Sequence, residues 1–174
     1  MQQSLSTRRL LVRCLMIAFV VAASVAIFAS PAAADQPAKS EFTSNGSADI
    51  TGVCPFTVHV EFTSSNTLIS FFDASGTFTR GYMHVVEQDT FSANGKTLVS
   101  IPYVYNGTAL FDSSGNMTQL IARGLLAKVP LPDGSLFISA GWLDVMAHPD
   151  LTFYLAPDKG NPGNIAGFCA ALAP

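Results

Sequence analysis

Charge is scarce in this chain of 174 residues, of which 12% are Asp, Glu, Lys or Arg. Only nine residues are Lys or Arg, and Arg8, Arg9 and Arg13 stand together near the N-terminus. Without those three arginines, six basic residues face twelve acidic ones, a formal net charge near −6. That excludes the basic footprint a nucleic-acid partner needs and argues against attachment to anionic lipid. Cysteine is rare too, with three in the chain, and no Cys-x-x-Cys or Cys/His cluster prepares a metal site. No Gly-x-Ser-x-Gly elbow and no phosphate-binding glycine loop is present. No metal and no cofactor is expected.

The N-terminus carries what the rest lacks, a long apolar run. Met1 to Arg13 is polar and basic, Cys14 to Ser30 is apolar or small, and Pro31-Ala32-Ala33-Ala34 offers an A-x-A cleavage site before Asp35. These are the three regions of a secretory signal peptide. The expectation is a leader over 1–34, cleavage after Ala34 and a secreted, extracellular mature protein with no stable membrane span. Thr7-Arg8-Arg9-Leu10 also resembles a twin-arginine signal, although the strongly apolar core favours the general route.

Cys14 lies in that leader, so Cys54 and Cys169 remain for the mature domain. In an oxidising compartment a lone pair of cysteines is most simply one disulfide. Roughly 140 mature residues fit a single domain with a sizeable core.

Residues 35–50 are polar, with Pro, Gly, Ser and Asn, and read as a flexible N-terminal arm. A single domain over 51–174 follows. Phe56, Val58, Val60 and Phe62 alternate with Thr57, His59, Glu61 and Thr63, the period of a half-buried strand. Strand-like runs rich in Phe, Val, Ile, Thr and Tyr recur over 67–72, 77–91, 97–105, 108–111, 117–129, 135–147 and 151–155. Turn signals separate them, including Asp73-Ala74-Ser75-Gly76, Asn94-Gly95, Asp112-Ser113-Ser114-Gly115 and Asp133-Gly134. The Phe-Asp-x-Ser-Gly turn at Phe72 returns at Phe111, which fits either an internal duplication or, the reading we favour, the beat of a meander with near-equal hairpins. Only Ile165 to Leu172 suits a short helical turn. The fold class is therefore all-β, an antiparallel meander of about eight strands. A Cys54–Cys169 bridge asks the two ends of the sheet to meet, so a closed β-barrel is expected, with a β-sandwich as the alternative.

Acid–base candidates are few. His59 and Glu61 share a strand face, and His84 and Glu87 stand three apart. Met83, Tyr103, Tyr105, Trp142 and Met146 are of the types that line small-molecule cavities. Several strands are apolar on both faces, which suggests a homo-oligomer. Leu136, Ile138 and Trp142 point one way while Phe137, Leu143 and Val145 point the other. Likewise Leu120 and Leu126 oppose Ile121, Leu125 and Val129.

Gly52-Val53-Cys54-Pro55-Phe56, Phe71-Phe72-Asp73-Ala74-Ser75-Gly76 and Phe168-Cys169-Ala170-Ala171-Leu172-Ala173-Pro174 complete a pattern. The mature chain resembles the small secreted proteins of actinobacteria that have no characterised activity. At fold level the meander is similar to the allene oxide cyclase-like and dirigent-like barrels, which implies a hydrophobic small-molecule ligand and a trimer. No catalytic residue of those families matches a position here. Three function classes follow in order of preference: a secreted barrel binding a small apolar molecule, an envelope interaction protein without a ligand, and a cofactor-independent barrel isomerase or cyclase.

Overall fold

The computed structural model describes residues 36–148 and 155–174. Its main feature is one antiparallel sheet of eight strands: β1 Ala38–Ile50, β2 Val58–Phe72, β3 Phe78–Ala93, β4 Lys96–Val99, β5 Tyr103–Phe111, β6 Met117–Pro130, β7 Leu136–Asp144 and β8 Lys159–Asn161. A helix, α1, covers Ile165–Leu172, and a single 3-10 turn spans Val145–Ala147. The hydrogen-bonded order is β1-β2-β3-β5-β6-β7-β8, and β4 pairs with β3. The sheet is not closed into a barrel, for β1 and β8 are the two ends of this ladder among the described residues. No second sheet faces it among them.

Three expectations are corrected by the backbone. The arm expected over residues 35–50 holds strand β1, which pairs with β2 from Ala38↔Ser70 to Ile50↔Val58. Its outer face is exposed and polar, so composition hides it. Its inner face carries small residues, Ser44, Gly46 and Ala48, ending at fully buried Ile50. The runs at 56–63 and 67–72 are one continuous strand, β2. The run at 97–105 is instead two strands, β4 and β5, both alongside β3. Pro102 has no N–H to give the ladder, and the chain steps sideways there. Ser100 N–H bonds Asp89 O at 2.8 Å and Ile101 N–H bonds Lys128 O at 2.8 Å. The strand expected over 151–155 lies outside the described residues except for Leu155, which is buried in a turn.

The tight turns are where the sequence placed them. Asn94 and Gly95 both take positive φ, 51° and 75°, as a two-residue hairpin requires. Asp73 and Asp112 close equivalent turns, each accepting backbone N–H bonds from residues two and four positions on, at 2.8–3.0 Å. Strand β6 bulges at Leu126, between the pairs Leu125↔Ala140 and Ala127↔Ser139. The extra residue moves Ala127 and Val129 onto the face already used by Leu120 and Ala122, so the expected opposition of Leu120 and Val129 does not hold.

One face of the sheet holds the core. Val58, Val60, Phe91, Ala127, Val129 and Phe137 gather there with Phe168 and Leu172 of α1. Phe168 meets Phe91 edge-on at 5.2 Å and Phe137 at 4.9 Å. Asn164 caps α1 by accepting Gly167 N–H at 2.9 Å. At its other end Asn94 Nδ2 donates to Leu172 O at 2.9 Å, and Lys96 Nζ donates to Ala173 O. Cys169, on this helix, forms the disulfide with Cys54, with Cα atoms 5.5 Å apart. The bridge does not require the sheet's ends to meet, as the sequence suggests it should. The helix meets that need instead, by folding back over the inner face.

Candidate functional site

Beyond α1 no described residue covers the same face, which curls into a trough. Its volume is about 400 Å³, and its wall draws on six strands or their ends, from Phe42 on β1 to Leu143 and Val145 at the end of β7. Phe62, Met83, Leu120, Ala122 and Leu126 supply the rest of the apolar surface, with Gly107 at the centre. Gly107 lies between Met83 and Ala122 in the pairing register, and its missing side chain leaves the depth. Phe62 folds across Gly46, where a Cβ would come within 2.7 Å of the ring.

Polar groups occupy two places in this wall. On one side Asn66 Nδ2 donates to Ser64 Oγ at 3.0 Å and to Ser44 Oγ at 3.1 Å, while the two serine hydroxyls lie 2.8 Å apart. On the floor stands Glu87, the one titratable carboxyl among the described lining residues. Tyr105 donates its hydroxyl to Glu87 Oε2 at 3.1 Å, and Tyr103 lies 2.8 Å from Glu87 Oε1. Tyr103 Oη is also 2.6 Å from Asp89 Oδ2. Asp89 is 0% exposed, Tyr103 2% and Glu87 6%, so the cluster is held out of water. The sideways step at Pro102 builds it. Tyr103 opens β5 directly across from Glu87, while Ser100 Oγ accepts the Asp89 N–H at 2.7 Å.

Hydrogen counting sets the protonation of this cluster. Tyr103 has one hydroxyl hydrogen and two carboxyl neighbours. It can donate to only one, so the other contact needs a carboxyl proton. Asp89 is the better holder. Burial pushes its carboxyl up to about 7, more than Tyr103 lowers it, and the nearby Glu87 charge adds to the rise. Asp89 Oδ1 has no hydrogen-bond partner, which is tolerable for a neutral acid and costly for a carboxylate. Protonated Asp89 then donates to Tyr103, Tyr103 donates to Glu87, and Glu87 keeps a charge braced by two tyrosine hydroxyls. Burial also raises Glu87, against the opposing pull of Tyr103 and Tyr105. Burial, followed by the neighbouring Glu87 carboxylate, pushes the Tyr103 hydroxyl far upward, so it stays protonated.

The other residues singled out by sequence lie elsewhere. His59 and Glu61 are on the outer face, with His59 Nδ1 2.7 Å from Asp49 Oδ1. His84 is also outside, 3.1 Å from Asn106 Oδ1. A spacing of three on a strand puts His84 and Glu87 on opposite faces, so they form no pair. Met83 and Tyr105 line the trough, and Tyr103 lies behind it. Trp142 alternates to the outer face, beside Lys159 Nζ at 5.7 Å, and Met146 is half exposed in the 3-10 turn. Asp89 was missed. Its signal was present: two carboxyls, Glu87 and Asp89, on the same face of a strand as Val85 and Phe91, opposite two tyrosines spaced by two. Among the described residues no group of His, Cys, Asp and Glu is set to hold a metal ion. No family model, curated protein or solved structure matches this chain.

Proposed function

We propose that this is an exported protein that binds a small apolar molecule in the trough, between strands that form an incompletely closed barrel. The observation that carries the reading is an apolar cavity of about 400 Å³ whose wall spans the sheet from β1 to β7. That volume lies within the usual range for small-molecule sites, which are mostly apolar with few polar groups. One further observation supports export: the Cys54–Cys169 disulfide suits an oxidising compartment. Titration with the neutral dye Nile red should show one saturable site on the mature protein. Native mass spectrometry of protein from its own host should show a bound mass that organic solvent removes. A protein that binds no dye, and whose trough is covered by a second copy in solution, would overturn the reading in favour of an interaction protein.

One observation favours a second reading, a cofactor-independent isomerase or cyclase: Glu87 opens onto the cavity with a proton chain behind it. In that case the co-purified molecule, incubated with the protein in deuterated water, takes up deuterium at carbon, and Glu87→Gln stops it.

A further inference from the structure

We infer that the trough selects apolar molecules that carry a protonated amine, with Glu87 as the group that pairs with it. This rests on the binding reading above and adds the chemical class of the ligand. The hydrogen count at Tyr103 leaves one proton shared by two buried carboxyls, so the cluster keeps one negative charge. No Lys, Arg or His lines the trough among the described residues. The titratable groups that face Glu87 are Tyr103, Tyr105 and Asp89, and none supplies a positive charge. A charge held this far from water is costly unless it is paired. The tyrosine hydroxyls share that burden, yet each Glu87 oxygen retains a lone pair for another donor. An ammonium group brings the missing charge and the donor together. Its hydrocarbon body fits the wall of Phe42, Phe62, Leu120, Leu126 and Leu143. The Ser44–Ser64 pair offers hydroxyl oxygens on the adjoining wall for further ammonium hydrogens. A carboxylate ligand would meet like charge, and a neutral one would leave Glu87 unpaired.

Displacement of Nile red by decylamine, decanol and decanoate tests this, since the three share one chain and differ in headgroup. Decylamine should bind about tenfold or more tighter than decanol at neutral pH, the worth of one charge-assisted hydrogen bond, and decanoate weakest. In Glu87→Gln the ratio of amine to alcohol affinity should fall to near one. If that variant misfolds, the wild-type protein still decides. Acidification to about pH 4 protonates Glu87 and leaves the amine charged, so the same ratio should collapse there. Equal affinity for amine and alcohol at neutral pH, or a ratio that survives acidification, would overturn the amine assignment and leave the apolar site standing. Failure of Nile red itself to bind would overturn the site as well.

Discussion

The two halves of the inner face are built from the same strands and differ in what covers them. Over one half, α1 presses Phe168 and Leu172 onto Val58, Val60, Phe91 and Phe137, all at 1% exposure or less. Over the other, the strands carry equally large side chains, Phe62, Met83 and Leu120, that stay only half-buried around the trough. Apart from the bulge at Leu126 of β6, alternation along the strands is continuous across both. What changes is the polar content. Of the buried polar residues only Ser139 lies in the covered half, whereas Ser44, Ser64, Asn66 and Glu87 line the open half, and Asp89 with its partner Ser100 marks the boundary. A carboxyl pair with no cation near it among the described residues is an expensive way to complete a core. Its position beside the uncovered half ties it to whatever enters there.

The largest effect expected from breaking this contrast is loss of the staple that holds the cover in place. Cys54 and Cys169 are 115 residues apart. Closing a loop of that length restricts the unfolded chain enough to contribute about 4–5 kcal/mol in the entropic account. The double variant Cys54→Ser/Cys169→Ser should lose most of that in urea unfolding. Single truncations sharpen the contrast. Phe168→Ala should cost about 3–5 kcal/mol, as a core phenylalanine does. Phe62→Ala, at the half-buried trough wall, should cost about 1 kcal/mol. Equal losses would mean that the trough is as closed as the core.

The boundary itself should respond to pH. The Asp89 carboxyl, raised from 3.8 to about 7, binds its proton more tightly in the folded protein than in the unfolded chain. Its contribution is therefore full below about pH 4 and is lost as pH rises to about 7, an amplitude of about 2–4 kcal/mol. Asp73, Asp112 and Asp133 run the opposite way. Hydrogen bonds from their own turns hold these exposed carboxyls below the usual range, so their contribution is lost as acid protonates them. Stability should peak at about pH 4–5 and decline towards neutrality. Urea unfolding across that range checks it, and Asp89→Asn should flatten the decline. A wild-type profile that rises towards pH 7 would remove the protonated Asp89.

How much of this was legible follows from which interactions are local. The hairpin turns were, because Asn94-Gly95 and the Asp-x-Ser-Gly segments act through their own backbones. The Val58–Phe62 alternation was too, since one buried face imposes period two. The Cys54–Cys169 bridge could be read from compartment and count, but its geometry could not. Its closure depends on α1, whose eight residues become a cover only through contacts with Phe91 and Phe137. Strand β1 escaped notice because an edge strand pairs by backbone, and Gly46 on its inner face has no side chain, which lets Phe62 lie across it. At Leu126 a single inserted residue changed which side chains share a face. The acid pair escaped because Glu87 was set beside His84, three residues away, when strand geometry joins positions two apart.

The smallest expected effect on stability is also the cleanest probe of the trough. Gly107 sits at its centre with ordinary backbone angles, and a Cβ added there would lie 3.6 Å from Met83 Cε and 3.7 Å from Met83 Cβ, normal contact distances. Gly107→Val should therefore be accommodated without displacing the backbone. The strand also prefers a β-branched residue to glycine, and each methyl group placed against the apolar wall adds up to about 0.8 kcal/mol. The net change should be a gain of no more than about 1 kcal/mol in urea unfolding. The added volume comes out of the cavity, so Nile red binding should weaken several-fold in the same variant. A second substitution, Gly124→Val, separates filling from general damage. It forces a side chain at φ +130° against Val104 O at 2.9 Å, outside the trough, and should destabilise the protein. Stability gained with binding lost at Gly107, and stability lost at Gly124, would identify the open half as space kept for a ligand. Destabilisation at Gly107 would show instead that this part of the wall is already packed.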